Sequence, residues 1–181
     1  MAIANIENNE RKIFDMEEVV RETFLGLSGN GFAYLAMAFS LFMTCVGSAK
    51  GVGMVGEAMS GVLIEDPNRF GPLMILQVIP GTNGIYGFLI TFIILTNSGL
   101  MAGGVNLPLN TGMLLFLSSL PIGIVGCISA VYQARVAVGG VNLVARRPDQ
   151  LSKAMISAVM VETYQILALL ISMLMVLAAL G

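Results

Sequence analysis

The residue with the sharpest chemistry is Glu162, the last charged residue of the chain and the only one after Lys153. It stands fourteen residues beyond Pro148, roughly 20 Å along a helix at 1.5 Å per residue. In a membrane-spanning helix that is close to mid-bilayer. An ionised side chain there costs about 2.5–3.5 kcal/mol on insertion scales, so protonation, a bound cation or a partner must offset it. Five other polar residues reach similar depth. Gln133 precedes Pro148 by fifteen residues, and Thr82 and Asn83 lie about as far beyond Pro67. Tyr86 is one turn further and could donate a phenol proton to a carboxylate, while Gln165 can share the face of Glu162. Hydroxyl, amide and carboxylate oxygens meeting at one depth form the ligand set of a hard cation, which we extend to sodium by analogy. Each residue also has a plainer reading. Thr82 could back-bond its own helix, Gln133 could tie helices together, Tyr86 could simply pack, and Asn83 could cap the break at Pro80-Gly81. The shared depth favours a site.

The elements that must hold this cluster are membrane helices. The 181 residues are 56% hydrophobic and 11% charged, with mean hydropathy +0.87. A soluble domain carries about 25% charged residues, so a water-soluble reading is excluded. Nine of the charged residues fall within positions 1–22, and none occurs from Phe70 to Ala134. A bilayer core needs roughly 20 apolar residues per helix, and the apolar stretches allow four: 31–63, 72–99, 110–145 and 151–180. The expected fold is therefore all-α and multi-pass. Net charge is −2 with neither His nor Trp, which argues against nucleic acid as a partner. Cys45 and Cys127 lie in apolar runs and read as small buried hydrophobes. Lys50, Glu57 and Arg135 lie toward the ends of spans one and three and read as snorkelling or interhelical pairs, with Arg135 close enough in sequence to Gln133 to tune Glu162. Basic residues in the first and third connections (Arg69, Arg146, Arg147, Lys153) place those loops in the cytoplasm and the termini outside.

The chain matches itself without a gap at a shift of 81 residues. Gly31 meets Gly112, Ser48-Ala49 meets Ser129-Ala130, Pro67 meets Pro148, Thr82 meets Thr163, and Leu89-Ile90 meets Leu170-Ile171. Two tandem hairpins of the same orientation follow, over 31–100 and 101–181, a parallel repeat rather than an inverted one. In that register Glu162 faces Gly81. Spans one and three are rich in Gly, Ala and Ser, which lets membrane helices approach closely, so they are expected inside and spans two and four outside. Residues 1–30 form a charged extension. Ile13, Met16, Val20, Phe24 and Leu27 recur at helical spacing there, which fits either an amphipathic helix or a frayed tail.

Three segments carry a family resemblance over about residues 31–181: Pro80-Gly81-Thr82-Asn83-Gly84-Ile85-Tyr86-Gly87, Gln133-Ala134-Arg135-Val136 and Val161-Glu162-Thr163-Tyr164. The chain resembles the proteolipid (c- or K-type) subunits of V-type rotary ATPases, particularly the bacterial sodium-translocating form. The resemblance implies a homo-oligomeric c-ring in membrane lipid, rotating against a stator a/I-type subunit and coupled to a central-stalk d/C-type subunit. In a bacterium the location would be the plasma membrane. It implies that Glu162 carries the ion, that Thr82, Gln133, Asn83 and the Ile79 carbonyl surround Na+, and that Tyr86 hydrogen-bonds Glu162. The sequence departs at Asn83, where the sodium pattern usually has the longer Gln. Gln165 stands at a usually small position and could supply the missing oxygen. The alternative cargo is H+. A small non-rotary channel or secondary transporter is a second alternative, but such proteins more often carry several membrane charges or broken helices. No G-x-x-x-x-G-K-[ST] motif is present, so the chain is expected to carry ions rather than hydrolyse ATP.

Overall fold

The computed structural model describes residues 28–181, so the amphipathic pattern read in the N-terminal extension lies outside the described residues. Among the described residues five α-helices form four spans: α1 (Gly29–Glu65), α2 (Phe70–Val78) continued by α3 (Thr82–Asn97), α4 (Leu109–Arg146) and α5 (Leu151–Leu180). All four spans are long and apolar enough to cross a membrane, and the described residues contain no strand. Helices are the expected answer where lipid offers the backbone no hydrogen-bond partner. All four spans run within two residues of their expected ends. The second span, expected as one helix over 72–99, is instead interrupted by a 3-10 turn at Ile79–Gly81. Pro80 has no N–H for the ladder and crowds the preceding turn. Gly99, at φ +74°, ends that span early, in a left-handed conformation that glycine adopts without strain.

The two tight connections are copies of one another. Asp66 and Arg147 adopt nearly the same backbone angles, −141°/90° and −137°/85°, and each leads into a 3-10 turn opened by proline. The first turn is also tied across the molecule. Arg69 bonds Asp66 at 2.8 Å and reaches the carbonyls of Val144 and Ala145, both at 2.6 Å, satisfying the end of α4. The hydrogen bond from Arg69 holds the Asp66 carboxyl below its usual range. Its folded value is depressed, so the contribution of this contact is complete above the ordinary carboxylate value and fades as pH falls through the lowered one.

Helices α1 and α4 form the tight centre, with the second and fourth spans laid outside them, as the small residues predicted. Glycine permits the approach at three levels. A Cβ on Gly112 would stand 2.7 Å from Gly29 Cα, one on Gly47 2.7 Å from Cys127 Cα, and one on Gly51 3.0 Å from the Ala130 carbonyl. Two apolar clusters fill the ends of the bundle. One gathers Val55, Met59, Leu73, Leu76 and Val141 near the tight turns, and the other gathers Ala33, Ile90, Ile94, Leu115 and Val176 at the opposite end. Between them lies a polar layer that includes Thr44, Ser48, Asn83, Gln133, Glu162 and Gln165, all buried. Lys50 and Glu57 are exposed, and the one ion pair among the described residues is Asp66–Arg69.

A Cβ on Gly87 would meet the Ser40 carbonyl at 2.6 Å and collide with Thr44. Gly87→Val should therefore destabilise the protein by about 1–3 kcal/mol through overpacking, read as a lowered thermal midpoint in detergent. Gly61 has open space around it, and Gly61→Ala should be neutral or gain up to about 1 kcal/mol from helix propensity.

Candidate functional site

The site begins with the break in the second span. Losing the regular ladder at Ile79–Gly81 turns carbonyls toward side chains. Thr82 Oγ1 lies 2.8 Å from Ile79 O, with its one proton directed to Glu162, while Asn83 Nδ2 donates to Pro80 O at 3.2 Å and Ser48 Oγ to Pro80 O at 2.8 Å. Ser48 Oγ also accepts from Gly84 N at 2.8 Å, so one serine on α1 steadies both sides of the break. This serine was visible in the sequence only as half of a repeated pair, Ser48 and Ser129. Its partner supplies the matching bond in the second hairpin, Ser129 Oγ to Val161 O at 3.2 Å. Thr163 likewise repeats Thr82, donating to Met160 O at 2.8 Å.

Glu162 is 8% exposed and receives three hydrogen bonds. Thr82 Oγ1 donates to Oε1 at 2.8 Å and the Tyr86 phenol donates to the same oxygen at 2.6 Å. Gln133 Nε2 donates to Oε2 at 3.2 Å. A hydrogen bond to a charged group contributes about 1.5–3 kcal/mol, so three together are of the size needed to hold a carboxylate inside a membrane. The network continues inward. Asn83 Nδ2 donates to Gln133 Oε1 at 2.6 Å, and Gln165 Nε2 donates to the Asn83 backbone carbonyl at 2.9 Å. The structure thus brings Glu162, Gln133, Thr82, Asn83, Tyr86, Gln165 and the Ile79 carbonyl into one connected group. Arg135 is not part of it, because its guanidinium lies over the Tyr132 ring, 5.2 Å from the centroid.

Two oxygens in this layer are buried without a hydrogen-bond partner: Asn83 Oδ1 and Gln165 Oε1. An unpaired buried polar atom costs about 1–3 kcal/mol, and such atoms are rare enough to need an explanation. Both are neutral oxygens of the kind a hard cation accepts. Glycine makes the room: a Cβ on Gly126 would stand 3.0 Å from Gln165 Nε2, so a larger residue there would push the Gln165 amide away. Gln133 is fully buried and bridges Asn83 to Glu162. Gln133→Leu would leave one N–H of the Asn83 amide unpaired and remove one donor from Glu162, and should lower stability by about 1–3 kcal/mol for each group left unpaired, measured by thermal unfolding in detergent.

A family model for the C subunit of ATP synthase matches the chain twice, over residues 35–94 and 116–175. The two matches are offset by the same 81 residues as the internal repeat. The V-type sodium ATPase subunit K of Enterococcus hirae is 43% identical over 151 residues, covering 83% of this chain and 94% of that protein. The A-type ATP synthase subunit K of Methanocaldococcus jannaschii is 35% identical over 130 residues, covering 72% of this chain and 54% of that one. Two hairpins joined in register, an interrupted second span and a carboxylate in the fourth all lie within the doubly matched region, and this multi-pass membrane protein belongs to the ATP synthase C-subunit family.

Proposed function

We propose that the chain is the membrane rotor subunit of a V-type ATPase, assembling as a homo-oligomeric ring and carrying Na+ at Glu162 past a stator subunit. The observation that carries this reading is a mid-membrane carboxylate with three donors and two unpaired neutral oxygens in the same buried layer. Glu162, Thr82, Gln133, Asn83 and the Ile79 carbonyl hold the ion, with Gln165 as a further oxygen source and Tyr86 fixing the carboxylate. The name of the Enterococcus hirae relative supports sodium as the cargo.

The chemistry follows from charge. Without the ion, Glu162 is held by Tyr86, Thr82 and Gln133. When Na+ enters, the pair becomes electrically neutral and the cost of turning that face of the ring toward lipid falls. Gln133 has an amide with a donor end and an acceptor end, and ion binding reverses it so that Oε1 meets the cation. Tyr86 keeps its bond to the carboxylate, which orients Glu162 through loading and release. The stator offers access from one side for loading and from the other for release, where a stator cation displaces Na+. ATP is hydrolysed elsewhere in the complex, and a central-stalk subunit transmits the rotation. Only one hairpin of each protomer carries a carboxylate at mid-span, because Gly81 stands where Glu162 would repeat. Fewer ions then cross per turn than in a ring of two-helix subunits with similar helix number, so each ATP can drive a steeper gradient. That ratio fits a pump.

Carbodiimide labelling of Glu162 at fixed pH tests the cargo. Sodium should protect Glu162 in a concentration-dependent manner, and labelling unchanged up to high sodium would make the cargo H+. Glu162→Gln should abolish labelling. Tyr86→Phe removes one hydrogen bond to the carboxylate and should raise the half-protecting sodium concentration about tenfold, the equivalent of about 1.4 kcal/mol. A value unchanged by Tyr86→Phe would remove Tyr86 from the ion site.

A further inference from the structure

Three side-chain amides sit together in the buried layer, those of Gln133, Asn83 and Gln165, and each residue is fully buried. Two of their oxygens have no donor, Asn83 Oδ1 and Gln165 Oε1. Their nitrogens fix how they are turned. Asn83 Nδ2 donates to Gln133 Oε1 at 2.6 Å and to Pro80 O at 3.2 Å, and Gln165 Nε2 donates to the Asn83 backbone carbonyl at 2.9 Å. A side-chain amide has donors at one end and an acceptor at the other, so reversing Gln133 alone would set two N–H donors 2.6 Å apart. Gln133 and Asn83 must turn together. The three amides also occur as a set once, because their counterparts in the 81-residue register are Val52, Tyr164 and Gly84.

A cation at Glu162 forces that turn. Gln133 Nε2 stands 3.2 Å from Glu162 Oε2, and a cation repels the N–H. With the amide reversed, two oxygens share that separation, about the spacing of neighbouring ligands around an ion with oxygen bonds of about 2.3 Å. Asn83 then reverses in place, since the oxygen and nitrogen of an amide exchange positions with little change of shape. The contact with Gln133 is kept and its direction inverted: Gln133 Nε2 donates and Asn83 Oδ1 accepts. Pro80 O gives up its longer bond and keeps the one from Ser48 at 2.8 Å. The Asn83 nitrogen moves to where its unpaired oxygen stood. Among the described residues the one other buried side-chain oxygen without a donor is Gln165 Oε1, on an amide already bonded to Asn83.

We propose that Gln133, Asn83 and Gln165 form an amide relay that turns when Na+ binds: Gln133 Oε1 faces the ion, Gln133 Nε2 donates to Asn83 Oδ1, and Asn83 Nδ2 donates to Gln165 Oε1. One motion gives both unpaired oxygens a donor. This rests on the sodium reading and refines it, because Asn83 and Gln165 hold the ion by holding Gln133 in its ion-facing orientation. Both are positioning residues. When a stator cation displaces Na+, the relay runs back and Gln133 again donates to Glu162.

Sodium protection of Glu162 from carbodiimide, measured on the detergent-solubilised assembly, tests the relay. Gln165→Met removes the last acceptor and should raise the half-protecting sodium concentration about fivefold, as for the loss of one hydrogen bond. Asn83→Leu should raise it at least as much. Adding Gln165→Met to Asn83→Leu should then change nothing, whereas two independent ion ligands would multiply their effects. The bond from Gln165 to the backbone carbonyl at position 83 survives Asn83→Leu, so an effect exerted through that bond would also persist in the double variant. A persisting effect, or no effect of Gln165→Met alone, overturns the relay and leaves the sodium reading standing. Absence of sodium protection in the unmodified protein removes both. Should the variants unfold, a high-resolution structure of the unmodified protein with Na+ bound decides. Asn83 Nδ2 is expected within hydrogen-bond reach of Gln165 Oε1, and direct contact of either amide oxygen with the ion overturns the relay.

Discussion

One buried charge organises this protein. A carboxylate near the bilayer centre is unfavourable by several kcal/mol unless its oxygens are satisfied, and two neighbouring spans supply the donors that satisfy it. The broken second span delivers Thr82 and Tyr86 to the same oxygen of Glu162, and α4 delivers Gln133 to the other. Lipid provides no hydrophobic drive between helices, so the helices are brought together by close packing and polar bonds. The polar layer is thus both the candidate site and a principal fastening of the bundle. Apolar clusters above and below seal it.

Duplication explains the architecture and its asymmetry together. The turns at Pro67 and Pro148, the serine bonds of Ser48 and Ser129, and the threonine bonds of Thr82 and Thr163 are retained in both hairpins. These are backbone and capping functions that any copy of the hairpin needs. The chemistry is not retained. Gly81 replaces the carboxylate, Val52 replaces Gln133, and Gly84 replaces Gln165. That the first hairpin lacks the carboxylate and the amides together is energetically consistent, because an amide buried without its partner is destabilising.

The break at Ile79–Gly81 shows how a local defect becomes useful. A proline in a membrane helix frees backbone groups that lipid cannot satisfy, and neighbouring hydroxyls and amides must take them up. Here the carbonyl of Pro80 accepts from Asn83 and Ser48, and that of Ile79 lies 2.8 Å from the Thr82 hydroxyl. A regular helix would have hidden those carbonyls in its own ladder. The same event occurs in milder form at Pro121, where Ile122 N bonds Ser172 Oγ of the neighbouring span at 3.1 Å.

The sequence by itself determined the number of spans, all four sets of helix ends within two residues, the repeat, and the shared level along the helices at which Glu162 and its companions lie. These follow from quantities that depend on chain position alone: hydropathy, a fixed rise per residue and self-similarity. Tertiary structure decided what sequence distance cannot specify. It chose which Glu162 oxygen each donor reaches, set Arg135 over Tyr132 and away from the carboxylate, and gave Ser48 a bracing role that its pairing with Ser129 only hinted at. It also left Asn83 Oδ1 and Gln165 Oε1 unpaired. Hydrogen bonding depends on angle and on ångström-scale separation between different helices. Those are fixed by where glycine lets α1 and α4 meet, so the cluster was legible as a depth but its connectivity was not.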